Sequence, residues 1–568
     1  MTATQRVAFA KVEGADEVFT PGFIELLVEL HDRFAPRIGE LLAKRAEVLD
    51  RALNQGIMPG HLPVSEINTG DWRVPAVPEE LKRPGIEITG PASITGMFIN
   101  ALNPGPEGAR AVGDLDDDED AAGHRLIDTV TAARNRLAAV QRTLKFTNEQ
   151  TGKHYSIQEG EIPFFMHRER GLHLYEPDVT IDGGLASAAI LGMGLTMFHA
   201  GRAQIERGQG LYFYLPKLES AEEAGFWRDF FDFVVERLAL PADAVIRAVP
   251  LVESLPIAYQ MEEVLHALGP YAAGLNAARW DFKASIFEYV MGDADSVWPD
   301  RFDVDIKTTD FLATIFRRLV AVCLKRGAVP IGGMATALPS RETEVNKAAA
   351  ASITADKEWE AEQGFLRAWV AHIFHMKTAA DPFKKLRATG WTPSPEQHDP
   401  GNYPIDVRVP EGRITVNGTR RNARMLIEYI EGWLNGRGAK GIDSLAGKPG
   451  IHPALMEDLA TGRMSVAQIA QRVRHAAKDT ETGQPHDLAL VKSLLHEEVE
   501  DILRLHREEA GELDEAGGAA FAAGAERYRK AVKIAMRWIK NYTDLDFKSL
   551  GSYTRAELDA IAAAEEAF

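Results

Sequence analysis

The 568-residue sequence contains one cysteine, Cys323, so no disulfide can form within the chain. A single thiol fits a reducing compartment, where disulfides are rare. No apolar run approaches the ~20 residues that a membrane-spanning helix needs, and the first residues lack the apolar core of a signal peptide. We therefore expect a cytoplasmic protein that does not enter a membrane.

An excess of positive charge is also missing from this sequence. Its 64 Lys and Arg residues face 83 Asp and Glu residues, which gives a net charge of −19. Nucleic-acid binding needs a basic face, so a nucleic-acid partner is not expected. Local arginine clusters can still bind small anions. The length predicts two or three domains, and the expected assembly is a monomer or a small homo-oligomer.

The stretch 246–287 is the most informative part of the chain. An apolar run ends at Glu253, a helical stretch follows, and a second short apolar run leads into Arg279-Trp280-Asp281. Strand, helix, strand is the βαβ pattern of a parallel α/β sheet or barrel, in which residues just past the strand ends form the functional face. Glu253 and Asp281 are thus expected in one pocket. Two carboxylates without a soft ligand suit a hard cation such as Mg²⁺.

The same stretch resembles malate synthase, in the shorter bacterial and glyoxysomal form. The family's LIET and GLNxGRWDY segments correspond to 251–254 and 274–282 here. The resemblance implies an α/β fold, a TIM (β/α)8 barrel with an N-terminal helical clasp and a C-terminal all-helical plug domain. The expected domains are 1–85, 86–405 and 406–568. Gly274, Trp280 and Asp281 are expected to contact substrate, and Glu253 and Asp281 to hold the metal.

Two further segments carry the implied catalytic residues. The family's RxRGLHL segment aligns with 168–174, which places its catalytic arginine at Arg168, and LMEDAAT aligns with 455–461, which places its general base at Asp458. An arginine at a strand end can stabilise a developing oxyanion. Without the resemblance, Arg168 reads as a surface ion-pair residue and Glu457-Asp458 as an exposed acidic pair.

The acidic run 114–120 has two interpretations. Like charges in sequence repel each other and seek water, so the run alone predicts a solvated loop. The family has an ADFEDS segment at this place, beside the active site, and Asp116 is a candidate supporting group there. Lys217, at another strand end, is expected to be solvated. Replacement of Glu169 is expected to have little effect on turnover.

The resemblance implies a Claisen-type condensation in which acetyl-CoA, glyoxylate and water give malate and CoA, catalysed by a Mg²⁺-dependent acyltransferase of the glyoxylate cycle. Asp458 would take a proton from the acetyl methyl group, and Arg168 would stabilise the enolate. Some segments depart from the family: Gly becomes Ala278, Tyr-Ile becomes Phe282-Lys283, and 364–373 lacks the HDG turn. Two alternatives stay open: a divergent relative that condenses or cleaves another acyl-CoA and 2-oxo acid pair, and a non-catalytic paralogue.

Overall fold

Eight parallel strands close into a barrel in the computed structural model, which describes residues 2–149, 151–307, 309–442, 455–512 and 514–564. Each strand pairs with the next along the chain and β8 pairs with β1, so the predicted TIM barrel is confirmed. The strands are buried on both faces, which explains their near-continuous apolar sequences. They are β1 Gly85–Gly90, β2 Gly113–Asp117, β3 Phe164–Arg168, β4 Leu211–Leu215, β5 Ile246–Val252, β6 Gly274–Ala277, β7 Val329–Ala335 and β8 Arg367–Val370.

Helices surround the barrel and make up the C-terminal part of the chain. Those of eight or more residues are numbered here in chain order. They are α1 Pro21–Gln55, α2 Thr95–Leu102, α3 Leu126–Val140, α4 Ala188–Thr196, α5 Ala221–Arg237, α6 Met261–Leu268, α7 Arg279–Tyr289, α8 Asp310–Arg326, α9 Thr343–Gln363, α10 Met376–Ala388, α11 Val416–Leu434, α12 Leu459–Arg474, α13 Leu488–Ala510, α14 Glu515–Thr543 and α15 Arg555–Ala563.

The N-terminal helix α1 packs on the flank of the barrel, against α4 and α5. Thr20 caps it by accepting a hydrogen bond from the Phe23 N–H at 3.3 Å, and Pro21 occupies its first turn. The helix is continuous over its 35 residues and runs through Pro36. None of the helices in the described ranges combines the length and the apolar character that crossing a bilayer requires.

The C-terminal helices reach the barrel through α12, which packs along α7. A short antiparallel hairpin of Lys440–Ile442 and Leu455–Glu457 precedes α12. A bridge between Leu455 and Ala337 joins this hairpin to the segment that follows β7. The start of α12 is therefore fixed at the carboxyl ends of the barrel strands, the end where TIM barrels carry their active sites.

The prediction that the acidic run 114–120 forms a solvated loop is wrong. Residues Gly113–Asp117 form β2, and the side chains of Asp118, Glu119 and Asp120 are buried as well. Charge repulsion would exclude such a run from the interior if the acids had no counter-ions. Arg136, Arg168 and Lys217 supply those counter-ions from neighbouring elements, and the sequence order of the acids does not reveal them.

A buried ion pair inside the barrel gives a stability prediction. Glu87 on β1 pairs with Arg367 on β8, and Glu87 also accepts hydrogen bonds from the Tyr214 hydroxyl at 2.6 Å and the Trp369 indole at 3.1 Å. Arg367→Met leaves the Glu87 carboxylate buried without its cation, so we expect the free energy of unfolding to fall by about 3–5 kcal/mol.

Urea denaturation followed by circular dichroism measures this loss. The double variant Glu87→Gln/Arg367→Met should recover part of the stability, because it removes the uncompensated charge. An unchanged denaturation midpoint in Arg367→Met would show that the ion pair does not support the barrel.

Candidate active site

Three carboxylates meet at the carboxyl ends of the barrel strands. Asp120 follows β2, Glu253 follows β5, and Asp281 lies in the first turn of α7. All three are buried, and oxygen atoms of the three side chains lie within 4.8 Å of one another. The structure thus brings Glu253 and Asp281 together, as the sequence predicts, and adds Asp120, which the sequence analysis did not single out.

Lys217, two residues past β4, connects these carboxylates. Its ammonium lies 2.9 Å from Asp120 Oδ1, 3.0 Å from Asp281 Oδ2 and 2.6 Å from Glu119 Oε2, and its backbone N–H donates to Glu253 Oε1 at 2.5 Å. The expectation of a solvated Lys217 is therefore wrong. Its backbone is left-handed, with φ 51°, a conformation that costs a non-glycine residue about 1–2 kcal/mol. The contacts with the acids keep it in place.

Arg168 lies at the end of β3 and is held by a second acid of the 114–120 run. Its guanidinium donates two hydrogen bonds to Asp117, at 2.8 and 2.5 Å, and lies 3.2 Å from Asp120 Oδ2. Asp117 in turn accepts backbone N–H groups from the turn that carries Glu119, Asp120 and Ala121. Asp117 therefore fixes both the catalytic candidate Arg168 and the loop that presents Asp120.

Asp458 occupies the N-cap of α12 and closes the site from the C-terminal side. Its Oδ1 accepts the Thr461 N–H at 3.3 Å, and the side chain is 6% exposed. Burial, with the negative charge of Asp120 close by, raises the pKa of Asp458 well above its ordinary value, and Arg168 opposes the rise. A carboxyl with a raised pKa is a stronger base once it is ionised.

The four acids and Arg168 line one small cavity of about 40 Å³, together with Trp280 and Trp369. Gly274 is not part of it. It lies at the opposite end of β6, where its backbone packs against Val329, so the strand itself separates it from the cavity. Asp116 also points elsewhere, to Arg136 at 2.6 Å and to His167 at 2.7 Å. Among the acids of β2 it is Asp117, and not Asp116, that contacts Arg168.

Glu169, expected to matter little, is buried beside the same network. It accepts hydrogen bonds from Arg136 at 2.9 Å and from the Thr196 hydroxyl at 2.6 Å. Replacing it would leave Arg136 with one fewer counter-ion in the interior, so we expect a loss of stability, while the small effect on turnover stays a prediction. The helices that supply its partners, α3 and α4, are distant in the chain, so the sequence alone does not show that Glu169 is buried.

The carboxylate cluster fits a hard divalent cation. Carboxylate oxygens are the ligands that Mg²⁺ prefers. Glu253 Oε2 is buried and has no hydrogen-bond partner in the described part of the chain, so it is available as a ligand. Burial, with the nearby charges of Asp281 and Asp120, raises the pKa of Glu253 to about 8, although Lys217 lowers it. A bound cation would supply the positive charge that favours the ionised form.

Lys283, two residues after Asp281, is one of the departures from the family segment. Its ammonium donates to the Val304 carbonyl at 2.7 Å and lies 4.6 Å from the centre of the Trp280 ring. Burial, together with repulsion from Arg279 and Arg301, lowers the pKa of Lys283 to about 7. It points away from the carboxylates and into a second, larger cavity.

Comparison with known proteins places this site in context. The sequence matches the family model "Malate synthase, TIM barrel domain" over residues 164–392 and "Malate synthase, C-terminal" over residues 413–554. The malate synthase of Streptomyces clavuligerus is 36% identical over 95% of this chain and 96% of that protein. Malate synthase A of Escherichia coli K12 is 34% identical over 97% and 98%. The glyoxysomal malate synthase of Gossypium hirsutum is 30% identical over 94% and 91%.

The carboxylate cluster gives a cation-binding prediction. Asp120→Asn, Glu253→Gln and Asp281→Asn should each weaken Mg²⁺ binding by more than the ~10–100-fold that follows loss of an outer partner, measured by isothermal titration calorimetry. Asp116→Asn is the control, since that acid belongs to the same run but contacts Arg136 and His167. Unchanged Mg²⁺ affinity in Asp120→Asn would exclude Asp120 as a third ligand.

Proposed function

The chain belongs to the malate synthase family and is an enzyme that condenses acetyl-CoA with glyoxylate and water to give malate and CoA; we propose that Asp458, Arg168 and the Asp120–Glu253–Asp281 cluster are the groups that do so. The observation that carries this assignment is their convergence on one buried cavity, from five separate segments of the chain. The near-full-length identity to malate synthases favours this reaction over the two alternatives that the sequence leaves open.

We propose Mg²⁺ as the cofactor, held by Glu253 and Asp281 with Asp120 as a third ligand. When bound, the cation acts as a Lewis acid toward the carbonyl of the 2-oxo acid. The proposal is supported by the oxygen-only donor set, the burial of all three side chains and the free Oε2 of Glu253.

Asp458 is proposed to remove a proton from the acetyl methyl carbon of acetyl-CoA. An ordinary aspartate, with a pKa of ~3.9, is too weak a base for a carbon acid. Burial raises the basicity of Asp458, and the N-cap hydrogen bond with Thr461 fixes the orientation of its carboxylate. Among the described residues no hydrogen bond is made to its second oxygen, which is the one proposed to meet the substrate.

Arg168 is proposed to stabilise the negative charge that develops on the thioester oxygen as that proton leaves. A guanidinium is permanently charged, and a preorganised cation in a water-poor site stabilises an oxyanion strongly. Two hydrogen bonds to Asp117 and a position 5.4 Å from the centre of the Trp369 ring hold it in place. The enolate carbon then attacks the aldehyde carbon of glyoxylate, and hydrolysis of the resulting malyl thioester releases CoA.

We propose domain boundaries at 85/86 and 405/406, because the first barrel strand starts at Gly85 and the C-terminal helices begin at Val416. Trp280 is proposed as a substrate contact because it lines the cavity. We also propose a role in the glyoxylate cycle and a cytoplasmic location, the latter on the sequence features alone, since relatives include proteins named as glyoxysomal.

The proposed function predicts thiol release when purified protein is mixed with Mg²⁺, acetyl-CoA and glyoxylate. Asp458→Asn should lower kcat by about 10²–10⁴-fold, the contribution of a general base. Asp487→Asn is the matched control, because Asp487 caps α13 as Asp458 caps α12 but lies on the surface. Near-normal turnover in Asp458→Asn would remove that residue from the mechanism.

The burial of Asp458 also predicts the acidic limb of the pH profile. The base must be ionised to act, so kcat falls as the pH falls through its pKa. Because burial is the largest cause of the raised pKa and does not depend on the cation, the decline should begin above the ~3.9 of an ordinary aspartate even when Mg²⁺ offsets the charge of Asp120. Steady-state kcat measured with saturating substrates and Mg²⁺ tests this, and an acidic limb near pH 4 would contradict the assigned environment.

A further inference from the structure

Two adjacent glycines interrupt β7 shortly before its carboxyl end. Ile331 pairs with Arg367 of β8, whereas Met334 pairs with Trp369, so β7 carries one extra residue between these two pairs. Such an insertion is a β-bulge, which bends a strand and re-aims the side chains that follow it. The residues after this bulge include Met334 and Thr336, which line the small cavity of the candidate active site. The bulge therefore decides which side chains of this segment face the cavity.

Helix α9 holds this bulge through Lys357 and Glu360, which together are called the α9 clamp here. The Lys357 ammonium donates to the Gly333 carbonyl at 2.7 Å, and Glu360 Oε1 accepts the Gly333 N–H at 3.0 Å. Asn276 of β6 donates to the Gly332 carbonyl at 3.0 Å. Neither glycine has a register partner in the neighbouring strands. Side chains thus satisfy the backbone groups that the bulge takes out of regular pairing.

The clamp reaches the strand only because both residues of the bulge are glycine. A Cβ added to Gly332 would collide with the Glu360 carboxylate, and a Cβ added to Gly333 would collide with the Arg279 guanidinium. Glycine is the residue that permits so close an approach to the backbone. The two glycines and the charged side chains around them are therefore complementary parts of one arrangement.

The same helix fixes Arg279, the first residue of α7. Its guanidinium donates to both carboxylate oxygens of Asp356, at 3.0 and 2.8 Å, and to Glu360 at 3.1 Å. The charge of Asp305 adds a further attraction. Trp280 follows Arg279 directly and lines the small cavity. Helix α9 therefore sets the start of α7 relative to the end of β7, and these two segments are walls of the same cavity.

The charges of the clamp compensate one another away from water. Lys357 is 0% exposed and Glu360 is 1% exposed, and the Lys357 ammonium lies 3.0 Å from Glu360 and 3.1 Å from Asp356. Well-packed apolar side chains are often as stabilising as a buried ion pair, so stability alone does not account for this set. What the charges add is direction, because their hydrogen bonds hold the bulge at one residue of β7.

We propose that Lys357 and Glu360 are positioning residues for the 2-oxo acid substrate. They hold the bulge of β7 and, with Asp356, the start of α7, and in this way they set the width of the cavity in which glyoxylate binds. Neither residue of the clamp lines that cavity, so both act through Gly333 and Arg279. This inference rests on the proposed function, because it takes the small cavity as the glyoxylate site.

Isothermal titration calorimetry of glyoxylate, with the full chain, with Mg²⁺ and without acetyl-CoA, measures this positioning in the absence of turnover. Lys357→Met should weaken glyoxylate binding at least about tenfold, the scale on which outer partners act on a site. Gly332→Ala should weaken it as well, because that variant keeps every charge but displaces the Glu360 carboxylate. In steady-state kinetics both variants should raise the KM for glyoxylate, while kcat at saturating substrates stays within about threefold of the wild-type value. The clamp makes no contact with Asp458 or Arg168, so the chemical step keeps its groups.

Arg326→Met is the control for a general loss of stability. Arg326 is 1% exposed and pairs with Glu262 at 2.6 Å, but it ends α8 at the opposite end of the barrel. This variant should unfold at a lower urea concentration and still bind glyoxylate as the wild type does. Should Lys357→Met fail to fold, Gly332→Ala decides alone. Wild-type glyoxylate affinity in the folded clamp variants would overturn the role of the clamp and leave the proposed function intact. Absence of glyoxylate binding by the wild-type protein would overturn the proposed function, and this inference with it.

Discussion

The balance of buried charge at the carboxyl ends of the strands is the constraint on which this structure depends. The acids of the 114–120 run, Glu253, Asp281 and Asp458 are all removed from water, and burial of that many carboxylates would disfavour folding without compensation. Lys217 and Arg168 provide it at the centre of the site, and Arg136 provides it behind β2. The residues that make the barrel foldable are thus also those that position the chemistry.

The helix α12 links the C-terminal domain to this charge balance. Asp458 is its N-cap, and Arg463, one turn further along, lies 3.0 Å from Asp281 and also pairs with Glu288 of α7. One helix therefore supplies both the proposed base and an ion pair to a proposed metal ligand. The spacing between Asp458 and Arg463 is set by the helix, which holds the two side chains more rigidly than a loop would.

Sequence reasoning identified the barrel and the residues that stand in long motifs. Glu253, Asp281, Arg168 and Asp458 could be assigned because strand order and family segments fix their positions. Asp120 and Lys217 could not, since each reads as a surface charge until its partners, distant in the chain, are known.

The sequence pointed to Asp116 as the supporting acid, whereas Asp117 is the acid that contacts Arg168. Adjacent residues on a strand point to opposite faces. An alignment that is uncertain by one residue therefore does not decide which of the two acids contacts Arg168. Gly274 begins a motif that runs along the whole of β6, so the motif also includes residues that do not line the cavity, and a substrate contact of Gly274 stays a prediction.

The departures from the family segments have different structural consequences. Arg367 and Lys283 each add a buried charge. Arg367, which lies in the departing segment 364–373, meets Glu87 within the barrel, and Glu87 also accepts a hydrogen bond from Trp369 at the cavity wall. The charge of Arg367 is thus neutralised internally. Ala278 lies at the cavity wall, beside Asp281, where its methyl group takes space that glycine would leave open. The charge of Asp305 favours the protonated form of Lys283, but the described residues form no ion pair between Lys283 and an acid. Of the three, Lys283 alone brings a charge to a cavity wall without an ion-pair partner among the described residues, its close contacts being the Val304 carbonyl and the Trp280 ring.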